Sequence, residues 1–267
     1  MTAPSQPFIA VIGFGAMARS LRSALAATGT AQLTRCLVPE AFAASVPADL
    51  ICHTEVADLI AARPDLVVEC ATHEAVRETV PALLEAGIDV VIVSIGALVE
   101  PATRARLDAA ARLGGARATV VSGAIGGLDV LRAGALAGLT SVTYTGRKPP
   151  EAWAGTPAED LMDLGALTAP QVFYEGNAEK AARDYPKNTN VTAAVALAGV
   201  GFEKTAVRLI ADPTVRTNSH ELEAEGAFGR FRIILENKPL PENPKTSWLA
   251  ALSVEQAVRR HFTPMEV

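Results

Sequence analysis

Residues 8–12 form an unbroken apolar run that breaks into Gly13-Phe14-Gly15-Ala16-Met17-Ala18, and an alanine-rich stretch then continues to Ala27. Few folds accept this pattern. A short apolar run ended by glycines reads as a buried strand, and the alanine-rich stretch reads as a helix. The spacing is GxGxxA. Gly13 permits a sharp turn, Gly15 lets backbone N–H groups approach a pyrophosphate, and Ala18 is small enough for the helix to lie close on the strand. The helix N-terminus then faces the phosphate charge. Gly13, Gly15, Ala16 and Met17 are therefore candidate contacts to a nicotinamide or flavin dinucleotide.

The chain continues in the same grammar to about residue 123. Strand signals at 7–12, 32–38, 65–70, 88–95 and 116–121 alternate with helical signals, including 73–86 and 101–113. Strands alternating with helices imply βαβ units and a doubly wound parallel sheet of Rossmann type. After residue 123 the pattern changes. Strands are expected at 139–145, 171–175 and 206–211, a buried helix at 191–202, and a hairpin at 220–225 and 230–236. Consecutive strands of this kind indicate a mixed or antiparallel sheet. The expected fold is α/β, with a dinucleotide-binding domain over 1–123 and an α+β domain for substrate and dimerisation over 124–246. A C-terminal helix, 247–267, packs back on the first domain.

The bulk numbers narrow the function. A net charge of −5 without a basic stripe argues against nucleic acid. Mean hydropathy is +0.24, yet no apolar run reaches the ~18 residues of a spanning helix. Residues 1–7 hold no Lys or Arg and no leader pattern. Cys36, Cys52 and Cys70 lack disulfide or zinc spacing, so they read as buried thiols, without a metal site, in a cytoplasmic protein.

In such folds ligands bind at the carboxyl ends of the strands. Three loops there are rich in small residues: Cys70-Ala71-Thr72-His73, Ser94-Ile95-Gly96-Ala97 and Ser122-Gly123-Ala124-Ile125-Gly126-Gly127. Cys70, Ala71 and Ser94 are candidate cofactor contacts, with plain turn chemistry as the alternative. Strand 2 ends Leu37-Val38-Pro39-Glu40, which displaces the acid that usually holds an NAD ribose, and Arg35 lies within the strand. NAD and NADP both stay open.

Along 220–225, His220, Leu222 and Ala224 share the inner face and the three glutamates face solvent. A histidine at the mouth of a strand is a candidate general acid/base, or else a hydrogen-bonded core residue. Lys187 and Asn188 precede a helix N-terminus, where an anion site or an ordinary cap fits equally well. The polar loop 145–149, with Arg147 and Lys148, is a second cationic segment.

Together these segments resemble the L-aspartate dehydrogenase family. The resemblance is carried by Gly13-Phe14-Gly15-Ala16-Met17, Val68-Glu69-Cys70-Ala71, Ser94-Ile95-Gly96-Ala97, Ser122-Gly123-Ala124-Ile125-Gly126, Tyr144-Thr145-Gly146-Arg147-Lys148-Pro149, Tyr185-Pro186-Lys187-Asn188-Thr189-Asn190 and Asn218-Ser219-His220, in order over nearly the whole chain. It implies NAD- or NADP-dependent, reversible oxidative deamination of L-aspartate to iminoaspartate, which goes on to oxaloacetate and ammonia or feeds NAD biosynthesis. It implies His220 as the active-site residue, Ala124 and Asn190 as cofactor contacts, and a homodimer. Lys148, Lys187 and Asn188 are candidates for holding the substrate. Two alternatives are a related reductase, similar to homoserine dehydrogenase or dihydrodipicolinate reductase, and a non-catalytic NAD(H) sensor.

Overall fold

A computed structural model describes residues 6–186 and 189–265. By its internal contacts the chain divides into two compact units, Met1–Val121 with Ala251–Val267, and Ser122–Ala250.

The first unit is built on a six-stranded parallel sheet of order β3-β2-β1-β4-β5-β6. Its strands are β1 (Phe8–Ile12), β2 (Gln32–Leu37), β3 (Ile51–His53), β4 (Leu66–Glu69), β5 (Val90–Ile92) and β6 (Ala118–Val120). β1 lies at its centre, with Ile9, Ala10 and Val11 fully buried, as a strand covered on both faces requires. Helices α1 (Ala16–Thr28), α2 (Glu40–Ala43), α3 (Val56–Ala61), α4 (His73–Glu78), α5 (Val80–Glu85) and α6 (Pro101–Gly114) form the connections. In α1, Ala18, Leu21 and Leu25 are buried at helical spacing.

Several expectations need correction here. The strand at 65–70 is fourth in the chain, because β3 intervenes; at three residues it is too short to show a periodicity. The helix expected over 73–86 is two helices. Pro81 has no N–H for the carbonyl of Arg77, which accepts instead from Arg106 at 3.0 Å. The run 88–95 is strand only over Val90–Ile92, before a single 3₁₀ segment at Ile95–Val99. Of the three free cysteines only Cys36 is buried. Cys52 lies on the short edge strand β3 and Cys70 at the end of β4, so both keep partial exposure.

The second unit carries a five-stranded mixed sheet of order β11-β10-β7-β9-β8. Its elements in chain order are α7 (Leu128–Leu136), β7 (Leu139–Lys148), α8 (Ala158–Leu161), β8 (Gln171–Asn177), α9 (Ala178–Asp184), α10 (Thr189–Ala198), β9 (Ala206–Ala211), β10 (Asn218–Gly226) and β11 (Gly229–Asn237). β7 and β9 run parallel and the other neighbours antiparallel. The hairpin of β10 and β11 closes across Gly226 and Gly229. Helix α10 is buried at Thr192, Ala193, Ala194, Val195, Ala196 and Ala198. Its small side chains leave room for close packing.

Helices α7 and α9 carried no strong sequence signal. Residues 145–149, read as a loop, mostly continue β7. Gly146 and the charges beside it masked a strand that tertiary pairing on both edges enforces. A two-stranded ribbon, β12 (Pro239–Leu240) with β13 (Asn243–Ser247), leads into α11 (Trp248–Phe262). No helix among the described residues is long and apolar enough to cross a membrane.

Candidate active site

In the first unit the strand order reverses at β1, and a cavity of about 720 Å³ opens at the carboxyl ends of the strands there. Gly13, Phe14 and Gly15 line it after β1, Val38 and Pro39 after β2, and Cys70, Ala71 and Thr72 after β4. Gly13 has φ +81°, and a Cβ there would sit 2.9 Å from the Cβ of Ala71. Both constraints demand glycine. Gly15 is the N-cap of α1, yet no side chain caps the helix. A Cβ on Gly15 would meet nothing within 4 Å.

The first-turn N–H groups, those of Ala16 and Met17 among them, have no intrahelical partner in an α-helix. An uncapped N-terminus beside a cleared space therefore fits a pyrophosphate. The residues present suit a dinucleotide.

Glu69 stiffens this edge. Its carboxylate accepts from the N–H of Ala71 at 2.7 Å, of Ser94 at 2.9 Å and of Val93 at 3.2 Å, and from the Ser94 hydroxyl at 2.8 Å. Desolvation raises its pKa, against those hydrogen bonds. Ser94 thus spends its hydroxyl on knitting β4 to β5, and it is not on the cavity wall. Arg35 turns toward the start of β1, its guanidinium 4.7 Å from the Phe8 ring centroid. Glu40 opens α2, is exposed and is not on the wall. The charged residues that do line the cavity are Glu74 and Glu78.

In the second unit three strands are held in register. Asn218 pairs with Asn237, and His220 with both Leu235 and Gly146. One rung deeper, Leu222 pairs with Ile233 and Tyr144. By the two-residue alternation of strands, Lys148, Gly146 and Tyr144 share the face of His220 and Leu222. That face passes from an apolar core to a polar mouth.

At the mouth lies a cavity of about 670 Å³, lined among others by Lys148, Glu151, Thr156, Arg216, Asn218 and Asn237. Ser247 is also on its wall, and its hydroxyl is buried without a hydrogen-bond partner among the described residues. The Lys148 ammonium sits 4.8 Å from the Trp153 ring centroid, and burial lowers its pKa to about 8. Burial, with the Lys148 charge second, lowers that of His220 to about 3. The imidazole is 4% exposed, and the Tyr144 hydroxyl lies 2.8 Å from its Nδ1. His220 is not itself on the cavity wall; it lies one rung behind Asn218 and Asn237, which are. A neutral base close behind a polar wall, beside a desolvated cation on that wall, is an arrangement suited to an anionic substrate and a proton transfer.

Other candidates fall elsewhere. Arg147 points to the opposite face and pairs at 2.5 Å with Asp212, so its charge is committed away from the cavity. Asp212 is desolvated, which raises its pKa, but Thr214 and Arg147 hold it below the ordinary value. Ala124 is buried, and its carbonyl accepts from Nδ2 of Asn237 at 2.7 Å. That bond ties its loop to the cavity wall. Asn190 is exposed in the first turn of α10. Lys187 and Asn188 lie outside the described residues. Sequence reasoning missed Arg216, Asn237 and Ser247 as wall residues. Only the run Asn218-Ser219-His220 pointed toward them.

Comparisons with known proteins agree with both halves. Residues 13–120 match the family described as homoserine dehydrogenase, NAD binding domain, and residues 129–261 match aspartate dehydrogenase, C-terminal. The chain is similar to an L-aspartate dehydrogenase of Ralstonia nicotianae, 56% identical over 73% of each chain. It is also similar to one from a Polaromonas species, 46% identical over 94% of this chain and 96% of the relative. A crystal structure of aspartate dehydrogenase from Thermotoga maritima superposes with a TM-score of 0.78 at 26% identity, covering 98% and 99% of the two chains. With an NAD-binding first unit, a second unit of the matching kind and relatives of this identity along nearly its full length, the chain belongs to the L-aspartate dehydrogenase family.

Proposed function

We propose that this chain catalyses the reversible, NAD- or NADP-dependent oxidative deamination of L-aspartate to iminoaspartate, which water converts to oxaloacetate and ammonia. The observation that carries the reading is His220 beside Lys148 at the polar end of the second unit's sheet. The names of the relatives supply the substrate. When bound, the dinucleotide supplies the hydride acceptor for the Cα hydrogen of the substrate.

The roles of the residues follow from their chemistry. Gly13, Gly15 and the N–H groups of Ala16 and Met17 hold the pyrophosphate, and Cys70 and Ala71 flank it. Ala124 and Asn190 complete the cofactor contacts. Ser94 acts on Ala71 through Glu69, which accepts hydrogen bonds from both. Lys148 and Arg216 hold the two substrate carboxylates, joined by Lys187 and Asn188. Asn218, Asn237 and Ser247 add neutral donors.

His220 takes a proton from the substrate ammonium and so frees the nitrogen lone pair that drives hydride departure. After returning that proton to solvent, it takes one from the water that attacks the imine. Substrate carboxylates beside Lys148 offset the charge that weakens His220 as a base, so substrate binding raises its basicity.

With Glu74 and Glu78 on the wall of the first cavity, a 2′-phosphate meets like charge there, and NAD is the better-suited cofactor. The enzyme works as a cytoplasmic homodimer, and its iminoaspartate is suited to pyridine nucleotide biosynthesis. Initial rates of NADH and NADPH formation with L-aspartate test the reading. Turnover of a semialdehyde in place of aspartate overturns it, and cofactor binding without turnover of either favours a sensor.

A further inference from the structure

The buried phenol of Tyr144 lies beside His220, and glycine opposite that histidine gives it room. Tyr144 sits two residues from Gly146 on β7, and Gly146 is the cross-strand partner of His220. A Cβ on Gly146 would lie 2.8 Å from the Tyr144 hydroxyl oxygen and 3.3 Å from the ring carbon that bears it. The missing side chain is therefore a notch in the rung, and the phenol leans across it. The two rings lie 15° from parallel with centroids 6.0 Å apart. The phenol oxygen is 2.8 Å from Nδ1, within the distance at which a ring nitrogen makes its hydrogen bond.

A neutral imidazole carries one proton, and only the other nitrogen accepts another. We propose that Tyr144 is a positioning residue that accepts a hydrogen bond from Nδ1–H of His220, so that the lone pair resides on Nε2 and faces the substrate. The proposal rests on His220 acting as the base. In the step, the substrate ammonium loses a proton to Nε2 and the imidazolium forms. Nδ1 keeps its own proton, donated to the phenol oxygen throughout, and Tyr144 neither gains nor loses one.

The same hydrogen bond fixes the ring's rotation about its χ2. The titratable groups facing His220 are Tyr144 and Lys148 of β7, while β11 presents Leu235 and its own strand presents Leu222. Burial raises the Tyr144 pKa well above the ordinary phenol value, so the phenol stays protonated over the working range. Burial keeps His220 neutral there as well.

The direct test is side-chain ¹⁵N NMR of the full-length protein at neutral pH, with the His220 signals identified by their loss in His220→Asn. Four histidines make the spectrum tractable. The expected result is the Nδ1–H tautomer at His220 in the wild type. The Nε2–H tautomer there overturns the proposal without any variant having to fold. Kinetics give the second arm. Tyr144→Phe is expected to lower kcat about tenfold, the scale of one lost hydrogen bond, with KM for the cofactor unchanged. It should also move the acidic limb of kcat/KM for aspartate to lower pH, because the imidazolium loses its acceptor. An acidic limb that moves up assigns the phenol as donor and overturns the proposal.

Gly146→Ala fills the notch and should produce the same loss. Added to Tyr144→Phe it should cost far less than it costs the wild type. Full additivity means that the notch does not serve the phenol. The reading of His220 itself fails by a different route: kcat would survive in His220→Asn whatever tautomer the wild type shows.

Discussion

The two candidate sites use opposite materials. At the edge of the parallel sheet the contacts are backbone: a glycine turn, an uncapped helix end and small residues that keep out of the way. At the end of the mixed sheet they are side chains, titratable and mostly buried, and each one's properties depend on its neighbours. A backbone site is stiff and general, and it serves any ligand with a pyrophosphate. A site of coupled side chains is specific, and one substitution changes the others. Binding of the cofactor and chemistry on the substrate should therefore fail independently.

Removing His220 breaks the comparison most sharply. His220→Ala should lower kcat by roughly 10²–10⁴-fold, the usual worth of a general base, while the dissociation constant for NADH stays within about twofold, because His220 is not among the cofactor contacts. Stopped-flow turnover and fluorescence titration read the two separately. Loss of NADH binding in this variant would show that the sites are not independent.

The mirror experiment is Gly15→Val. The added side chain meets no protein atom at its Cβ, so folding is retained, but it occupies the pyrophosphate space. NADH affinity should fall about 10–100-fold.

Next in size is pH-dependent stability. His220 titrates at about 3 in the folded protein and near 6.5 unfolded. Between those values the unfolded chain binds more protons, so the contribution to stability is complete above about 6.5 and falls with pH at about 1.4 kcal/mol per unit. It levels off below about 3. His220→Leu should flatten this limb in denaturant unfolding, and an unchanged limb would contradict the burial of the imidazole.

Lys148 acts in the alkaline range. As pH rises through about 8 its ammonium loses its proton, so KM for aspartate should rise there. Lys148→Arg should carry that limb upward, because a guanidinium keeps its charge. The smallest effect concerns cofactor choice. NADH should bind about tenfold more tightly than NADPH, and Glu74→Gln with Glu78→Gln should narrow the gap.

The parts legible in the chain were those whose cause is local. The glycine turn after β1 demands its residues by backbone geometry, and the alternation along 220–225 put His220 on the inner face, where it is found. Where the cause is not local, the signals were silent or misleading. The arginine and lysine at 147 and 148 looked like one cationic loop, but β-pairing sends them to opposite faces, one to Asp212 and one to the cavity. Ser94 looked like a loop contact, but a buried carboxylate from the neighbouring strand claims it.

By itself, then, the sequence determined the fold class, the glycine turn after β1 and the candidate base, because strand period, glycine spacing and helix ends act over a few residues. Tertiary structure alone decided which cation faces the second unit's cavity and what the histidine's ring nitrogen touches. Strand register brings together residues as far apart as Tyr144 and His220, and their burial sets the protonation on which the chemistry depends.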